Sequence, residues 1–534
     1  MKKALCIIML TAAFAASFFM RDYNIENRIW HADESEQAST FADLLLNGDY
    51  EYNPHGPHGP TLYYYAFACH QLPNIKYFDM AQEANVSADT PVQSKNDGLS
   101  IILLRKLLAP WLLIIFICYL IGSIYSGAAA AWAACACFAL SGLSCIYAGY
   151  FVHEIIFAAS ALIFAQCLWA LLKNPSFKWA VAVGLSAGFM QSTKETSIIV
   201  FFSAVIAACA VLLINREIRK KLFEKGFSKA LYLGTAVVGG FAAMVCIFYS
   251  SFGTNPGGIL DAFLSYSHFF GKSASESFAE PAWYYAGLLA ISKSEGVWFG
   301  ELPITILFFA GLSRAVVAIR GGERQYAQKA EYILYCAICA AVQIAVLSFI
   351  TYKTPWLLLA PIALMCVVSG YGATGLLRSK KFLPLVFGFA ILATLGYWQF
   401  RLSENAAVKY PQDPRNPMIF SHTVSDYKNL LSRISDAERV SEYGGDIPIA
   451  FVMGSESPWP APWDLRNYAN VGFWKNDIPK NISEFEVIVC SPSTAEAVGK
   501  AIGDENYVPE FFGIRKNVVL TLYIKKELFE KLIR

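Results

Sequence analysis

The sequence predicts an all-α polytopic membrane domain of about eleven transmembrane helices over residues 1–402, followed by a small extracytoplasmic α/β domain over 403–534. Three observations predict it. Hydrophobic residues make up 56% of the 534-residue chain and charged residues only 16%, against roughly 25% charged in a soluble globular domain. Apolar runs long enough to cross a bilayer recur as far as residue 400. Beyond residue 403 the pattern changes to short segments of alternating helix and strand length. The mean hydropathy of +0.41 agrees. Disorder, fibres and an ordinary cytosolic enzyme are excluded, and a net charge of +2 with no separate basic domain speaks against a nucleic-acid partner. The thirteen cysteines are no disulfide framework, because all but Cys69 and Cys490 lie inside apolar runs. Cys135/Cys137 and Cys336/Cys339 lack the histidine partners of a zinc site.

The expected spans are 4–20, 108–125, 128–147, 155–172, 179–193, 196–214, 230–251, 286–319 with its core at 298–319, 332–351, 355–376 and 382–400. The first follows Lys2 and Lys3 and reads as an uncleaved anchor, because its apolar run continues past the cleavage-like Ala13-Phe14-Ala15. The window at 179–193 is short and reads as tilted or re-entrant. With the N-terminus cytoplasmic, the inner loops carry Lys173 and Lys178, the run Arg216 to Lys229, then Arg320, Arg324 and Lys329, then Arg378, Lys380 and Lys381. That pattern obeys the positive-inside rule for an inner-membrane protein. It puts the long loop 21–107 with its surface helices, the loop near 148–154, the segment 252–285 and the tail outside. All seven histidines fall in or beside those outer segments. In the tail, Ser425–Arg439 and Thr494–Ile502 read as helices, and Ile447–Met453, Phe485–Cys490 and Val518–Ile524 as strands.

Four outer stretches could carry chemistry. His31-Ala32-Asp33-Glu34 lies about ten residues past the first span, and carboxylates there suit a general base or a hard divalent cation. The same acids also suit the first turn of a helix over 35–46. The Pro/Gly/His run 54–60 fixes a turn, and the tyrosines that follow suit an interfacial belt. His153-Glu154 ends the second outer loop, where ionisable groups at a membrane edge are costly unless paired or used. Lys194-Glu195 and Tyr352-Lys353 sit at two further outer edges; each reads either as a phosphate contact or as a helix-hairpin turn and a snorkelling lysine, respectively. Together, acids in two loops and cations at two edges are what an enzyme needs to take a sugar from a lipid phosphate.

These residues resemble a family. His-x-Asp-Glu after the first span, Gly48-Asp49-Tyr50, His58-Gly59-Pro60, Leu62-Tyr63-Tyr64, Thr193-Lys194-Glu195 and Tyr352-Lys353-Thr354-Pro355-Trp356 are similar to the membrane-embedded, inverting C-type glycosyltransferases. Within that class the chain looks most like the flippase-activity-associated proteins of archaeal N-glycosylation, a group with bacterial members. Arg415-Asn416-Pro417 and Trp459-Pro460-Ala461-Pro462-Trp463 in the tail fit that group too. The resemblance implies a polyprenyl-phosphate sugar donor and a lipid or protein acceptor at the outer face of the cytoplasmic membrane. It implies Asp33 as catalytic base with Glu34 beside it. His58, Lys194, Glu195, Tyr352 and Lys353 become substrate-binding positions, Lys353 as a phosphate contact. Asp33, Glu154 and His153, with Glu34, become candidate ligands for Mg²⁺ or Mn²⁺. The group's name also implies an alternative, a non-enzymatic partner of a lipid-linked glycan flippase. Two features depart from the family: the second loop carries Gly149 and Val152 where relatives often have arginines, and Ala279-Glu280-Pro281-Ala282 precedes Trp283-Tyr284-Tyr285 where relatives often have histidine and lysine. A secondary transporter lacks support, since no repeat relates the two halves.

The lysine and arginine asymmetry gives a direct test. A reporter fused near residue 450 is expected to be active only outside the cytoplasm, and a cytoplasmic signal would reverse the assignment of every loop above.

Overall fold

The computed structural model describes residues 2–23, 25, 28–48, 50–54, 56, 58–71, 98–223, 226–273, 279–321 and 324–534. Nine helices among the described residues are long and apolar enough to cross a membrane: Lys3–Asp22, Ile102–Ser126, Glu154–Lys173, Ser197–Ile214, Gly226–Tyr249, Leu302–Arg320, Ala327–Phe349, Pro355–Leu376 and Phe382–Lys409. The chain is a multi-pass membrane protein. The windows expected at 128–147 and 179–193 hold shorter helices, Ala128–Leu140 of 13 residues and Phe177–Gln191 of 15 residues. The first of these breaks because Ser141 caps a new helix, Gly142–Tyr147, accepting from the Ser144 amide at 3.3 Å. The window at 286–319 is also shorter than expected. Its first part folds as a helix Tyr284–Leu289 and a hairpin of β1 (Ile291–Ser294) and β2 (Val297–Gly300). Glu295 and Gly296 both have positive φ, the requirement of a two-residue hairpin turn.

The centre of the bundle is the helix Leu359–Leu376, which packs against Ala128–Leu140, Glu154–Lys173, Leu302–Arg320 and Arg324–Phe349. With no hydrophobic drive between helices inside a bilayer, close backbone approach replaces it. A Cβ on Gly370 would meet the Ala130 carbonyl oxygen at 2.2 Å, and one on Gly372 the Leu307 carbonyl oxygen at 2.2 Å. The long outer loop supplies the helices Ala32–Asn47, Thr61–His70 and Gly98–Lys106.

The tail folds as a five-stranded sheet in the order β4-β3-β5-β7-β6, with β3 (Ile449–Val452), β4 (Val471–Trp474), β5 (Val487–Cys490), β6 (Tyr507–Arg515) and β7 (Val518–Lys525). β3, β4 and β5 are parallel; β7 runs antiparallel to β5, and β6 to β7. Both faces are covered, so β3 and β5 are buried at every position. Tyr427–Val440 and Lys526–Leu532 cover one face through Leu430, Ile434 and Leu528; Ala495–Ile502 covers the other through Val498 and Ile502. The expected tail helices and three expected strands are present. β4 and β6 were not anticipated: β4 is only four residues, and β6 contains Pro509, which a sheet tolerates at the edge position that β6 occupies.

The glycine crossings predict a sharp contrast. Gly372→Val is expected to lower the thermal-unfolding midpoint of the detergent-solubilised protein and its yield. Gly396→Val, where a side chain meets open space, is expected to leave both unchanged.

Candidate active site

The site begins where the first span ends. Helix Ala32–Asn47 is capped by His31, whose Nδ1 accepts the Asp33 amide at 3.0 Å. Glu34 reaches back to the His31 amide at 3.2 Å and completes a capping box. Glu34 has a second partner of greater consequence. Arg105, from helix Gly98–Lys106, donates to its two oxygens at 2.9 and 2.7 Å, and neither side chain has any exposed surface. The Phe151 amide donates to Glu34 Oε1 at 2.8 Å, so the carboxylate ties together the first loop, that helix and the second outer loop. Arg105 also donates to the carbonyls of Ile25, Arg28 and Ile29 and lies over the Tyr150 ring, 5.3 Å from its centroid.

Asp33, one residue earlier, points elsewhere. It is half-exposed, its carboxylate lies 4.0 Å from His31 Nδ1, and no donor among the described residues hydrogen-bonds it. It lines a cleft together with His31, Tyr147, Tyr150, Val152, Glu154, Trp356 and His422. Acids from the first and second outer loops therefore face one space, walled by aromatic rings. The Tyr147 and Trp356 centroids are 5.7 Å apart, and those of His31 and His422 4.5 Å. The tail builds one wall. The Phe420 carbonyl accepts from His31 Nε2 at 2.8 Å and from His422 Nδ1 at 3.0 Å. This fixes both tautomers, so Tyr150 O–H donates to His422 Nε2 at 3.0 Å. Burial, then the neighbouring His31, pushes the His422 imidazole well below its usual range, so it stays neutral. Tyr147 O–H donates to the Met418 carbonyl, and Thr423 Oγ1 to the Trp30 carbonyl.

Behind the cleft, a second cluster of expected residues backs Glu154. Glu154 is held by Lys194, whose Nζ donates to Oε1 at 2.5 Å; both are nearly buried. His58 Nδ1 lies 3.1 Å from Glu195 Oε1. Burial alone would raise Glu195, but His58 and Lys194 outweigh it and hold the carboxyl well below the usual carboxylate range. His153 Nε2 donates to the Gly59 carbonyl at 2.8 Å, its ring facing His58 and Tyr63. Desolvation, then His58, depresses its pKa well below the ordinary imidazole range.

The His58-Gly59-Pro60 motif gains a physical explanation here. The Gly59 amide donates to the Thr193 carbonyl, and a Cβ on Gly59 would sit 2.1 Å from the Ser192 carbonyl oxygen. His58 adopts a positive φ of 57° to make that approach. The motif docks the first loop onto Ser192–Glu195.

Four expected roles change, the first that of Lys194, whose ammonium is spent on the nearly buried Glu154. Glu34 is no accessible catalytic or metal-binding acid, because its oxygens are committed to Arg105, Phe151 and His31. His153 is not among the residues lining the cleft, so it joins no ligand set with Asp33. Lys353 presents no free ammonium: its Nζ donates to the Glu280 and Ile350 carbonyls at 2.8 and 2.5 Å, and the residue is buried. Tyr352 bridges to Ala279 through its backbone and packs its ring 6.2 Å from that of Phe420. No group of three or more His, Cys, Asp or Glu able to hold a metal occurs among the described residues. Asp33 and Glu154 remain as two carboxylates on one cleft, the number Mg²⁺ uses when substrate phosphate completes its shell. His422 was missed as a site residue. Its only signal was its place in the one-sided histidine set; no local motif marks it, and its side-chain partners Tyr150 and His31 lie hundreds of residues away.

No protein-family model matches the sequence, and no curated protein matches it. Solved structures do. ArnT from Cupriavidus metallidurans bound to undecaprenyl phosphate superposes with a TM-score of 0.61 at 13% identity, over 98% of each chain. The Archaeoglobus fulgidus oligosaccharyltransferase in complex with Zn and sulfate superposes with a TM-score of 0.51 at 12% identity, over 98% of this chain and 76% of that one. The chain shares the fold of these two solved structures.

The Glu34–Arg105 pair predicts a paired outcome. Glu34→Gln leaves a buried guanidinium without its counter-charge and is expected to cost about 3–5 kcal/mol of stability. Combining it with Arg105→Met removes both charges, so thermal unfolding is expected to show partial recovery.

Proposed function

We propose that the chain transfers a glycosyl group from a polyprenyl-phosphate carrier to an acceptor hydroxyl or amide on the outer face of the cytoplasmic membrane. The observation that carries this reading is the cleft: Asp33 and Glu154, from two loops separated by 121 positions, line one space at the ends of the spans. The fold likeness to ArnT with bound undecaprenyl phosphate supports a lipid-linked donor. A half-exposed acid in an aromatic cleft favours transfer over an accessory role in flipping, which needs no base.

In this mechanism the Asp33 carboxylate accepts the acceptor's proton as the acceptor atom attacks the anomeric carbon. The bond from that carbon to the phosphate oxygen breaks on the opposite side, and the polyprenyl phosphate leaves. Attack opposite the leaving group inverts the anomeric centre. Lys194 holds Glu154 in position across the cleft from Asp33. Asp33 and Glu154 would hold a divalent cation, whose positive charge would stabilise the departing phosphate.

Asp33→Asn preserves shape and removes the base. It is expected to lower turnover by about 10²–10⁴-fold with little change in thermal stability, measured as labelled sugar moving from a polyprenyl-phosphate donor into product in membranes. Full activity in this variant would remove Asp33 from the mechanism. Chelation of divalent cations is expected to abolish transfer reversibly, with Mg²⁺ or Mn²⁺ restoring it; unchanged transfer after chelation would remove the cation alone.

A further inference from the structure

The outer segment after the span Gly226–Tyr249 contains a helix, Gly258–Ser273, whose amphipathicity is inverted for a water-facing element. Leu260, Phe263, Leu264, Ser267, Phe270 and Gly271 recur at three- and four-residue spacings and share one face. The four large side chains on it are 71%, 60%, 54% and 57% exposed. No charged residue lies on this face. The opposite face is the one that packs on protein. Ala262 joins Tyr52, Val245 and Tyr249 in an apolar cluster, Ser265 is buried, and Tyr266 O–H donates to Gln191 Oε1. The polar contacts are inside and the bulky apolar groups outside.

We propose that this helix lies along the bilayer surface on the cleft side of the membrane, with Leu260, Phe263, Leu264 and Phe270 inserted among lipid acyl chains. Continuity with the lipid-facing wall of the preceding span selects this occupant. That span presents exposed Leu231, Val238 and Ile247. The new helix departs from its very end, because Gly258 sits so close to the Tyr249 carbonyl that a Cβ would approach it to 2.1 Å. Phe252, between the two helices, is exposed as well. Trp283 and Trp298, exposed at the same end of the bundle, have the residue type of an interfacial belt. A 16-residue helix with an apolar outer face and a protein-packed polar face fits the headgroup–acyl boundary, where the outer face is buried without a partner protein. Insertion would press the helix onto Tyr52 and Tyr249. The inference is independent of the proposed transfer reaction.

The test uses the full-length protein in liposomes of phosphatidylethanolamine and phosphatidylglycerol, with p-benzoylphenylalanine placed at Phe263, Leu264 or Phe270. After irradiation, peptide mass spectrometry reads phospholipid adducts. Leu231 on the span serves as the positive control and Glu442, exposed in the tail, as the negative one. Adduct yields close to that of Leu231 and about tenfold above that of Glu442 are expected at all three positions. Three placements guard against one that fails to fold. Yields at the Glu442 level, or crosslinks to a second copy of the chain in place of lipid, would overturn the proposal.

Discussion

The buried ion pair between Glu34 and Arg105 is the constraint on which the outer end of the molecule depends. Taking two charges out of water is tolerable only if every donor and acceptor is used. Here Arg105 serves Glu34 twice and three carbonyls of the 25–29 segment, while Glu34 also takes the Phe151 and His31 amides. No arm of this network can leave without stranding a buried charge. The first loop, the start of the second span and the loop around Phe151 are therefore fixed to one another. Asp33, next to Glu34 on the same helical turn, inherits its position against Glu154 from that fixation. One acid anchors, and its neighbour is left half-exposed on the cleft.

A second constraint comes from the tail, which is not an appendage. Ile29 belongs to the apolar core of the tail sheet, and Trp463 to that of the membrane domain, with the Trp30 and Trp463 ring centroids 5.6 Å apart. The Gln412 side chain hydrogen-bonds both the amide and the carbonyl of Ile29. Through Phe420 and His422 the same segment supplies one wall of the cleft. Burial keeps the His422 imidazole neutral in that wall.

Much of this was legible in the chain. The spans follow from apolar run length, and most of the tail elements from periodicity, because burial in a bilayer or a covered sheet leaves a direct compositional trace. The acids 33–34 and 154 were legible as residues needing an explanation at a membrane edge. Their division of labour was not. Whether an acid in a first helical turn caps, pairs or reacts depends on which side chain meets it, and Arg105 lies 71 positions from Glu34. The His58-Gly59-Pro60 and Tyr352-Lys353 motifs were legible as motifs, but their contacts are largely to backbone carbonyls of other loops, which no spacing rule encodes.

The sequence by itself determined the class of solvent each segment meets and the positions of most of the spans. Those properties are sums over local composition, and local composition decides transfer free energy. Only the tertiary structure decided which acid is free, which cations are consumed by Glu154 and by main-chain carbonyls, and that His422 closes the cleft. Those properties depend on the pairing of buried charges and polar groups. That pairing is settled by long-range contacts, because a buried charge takes whatever partner the packing brings within reach.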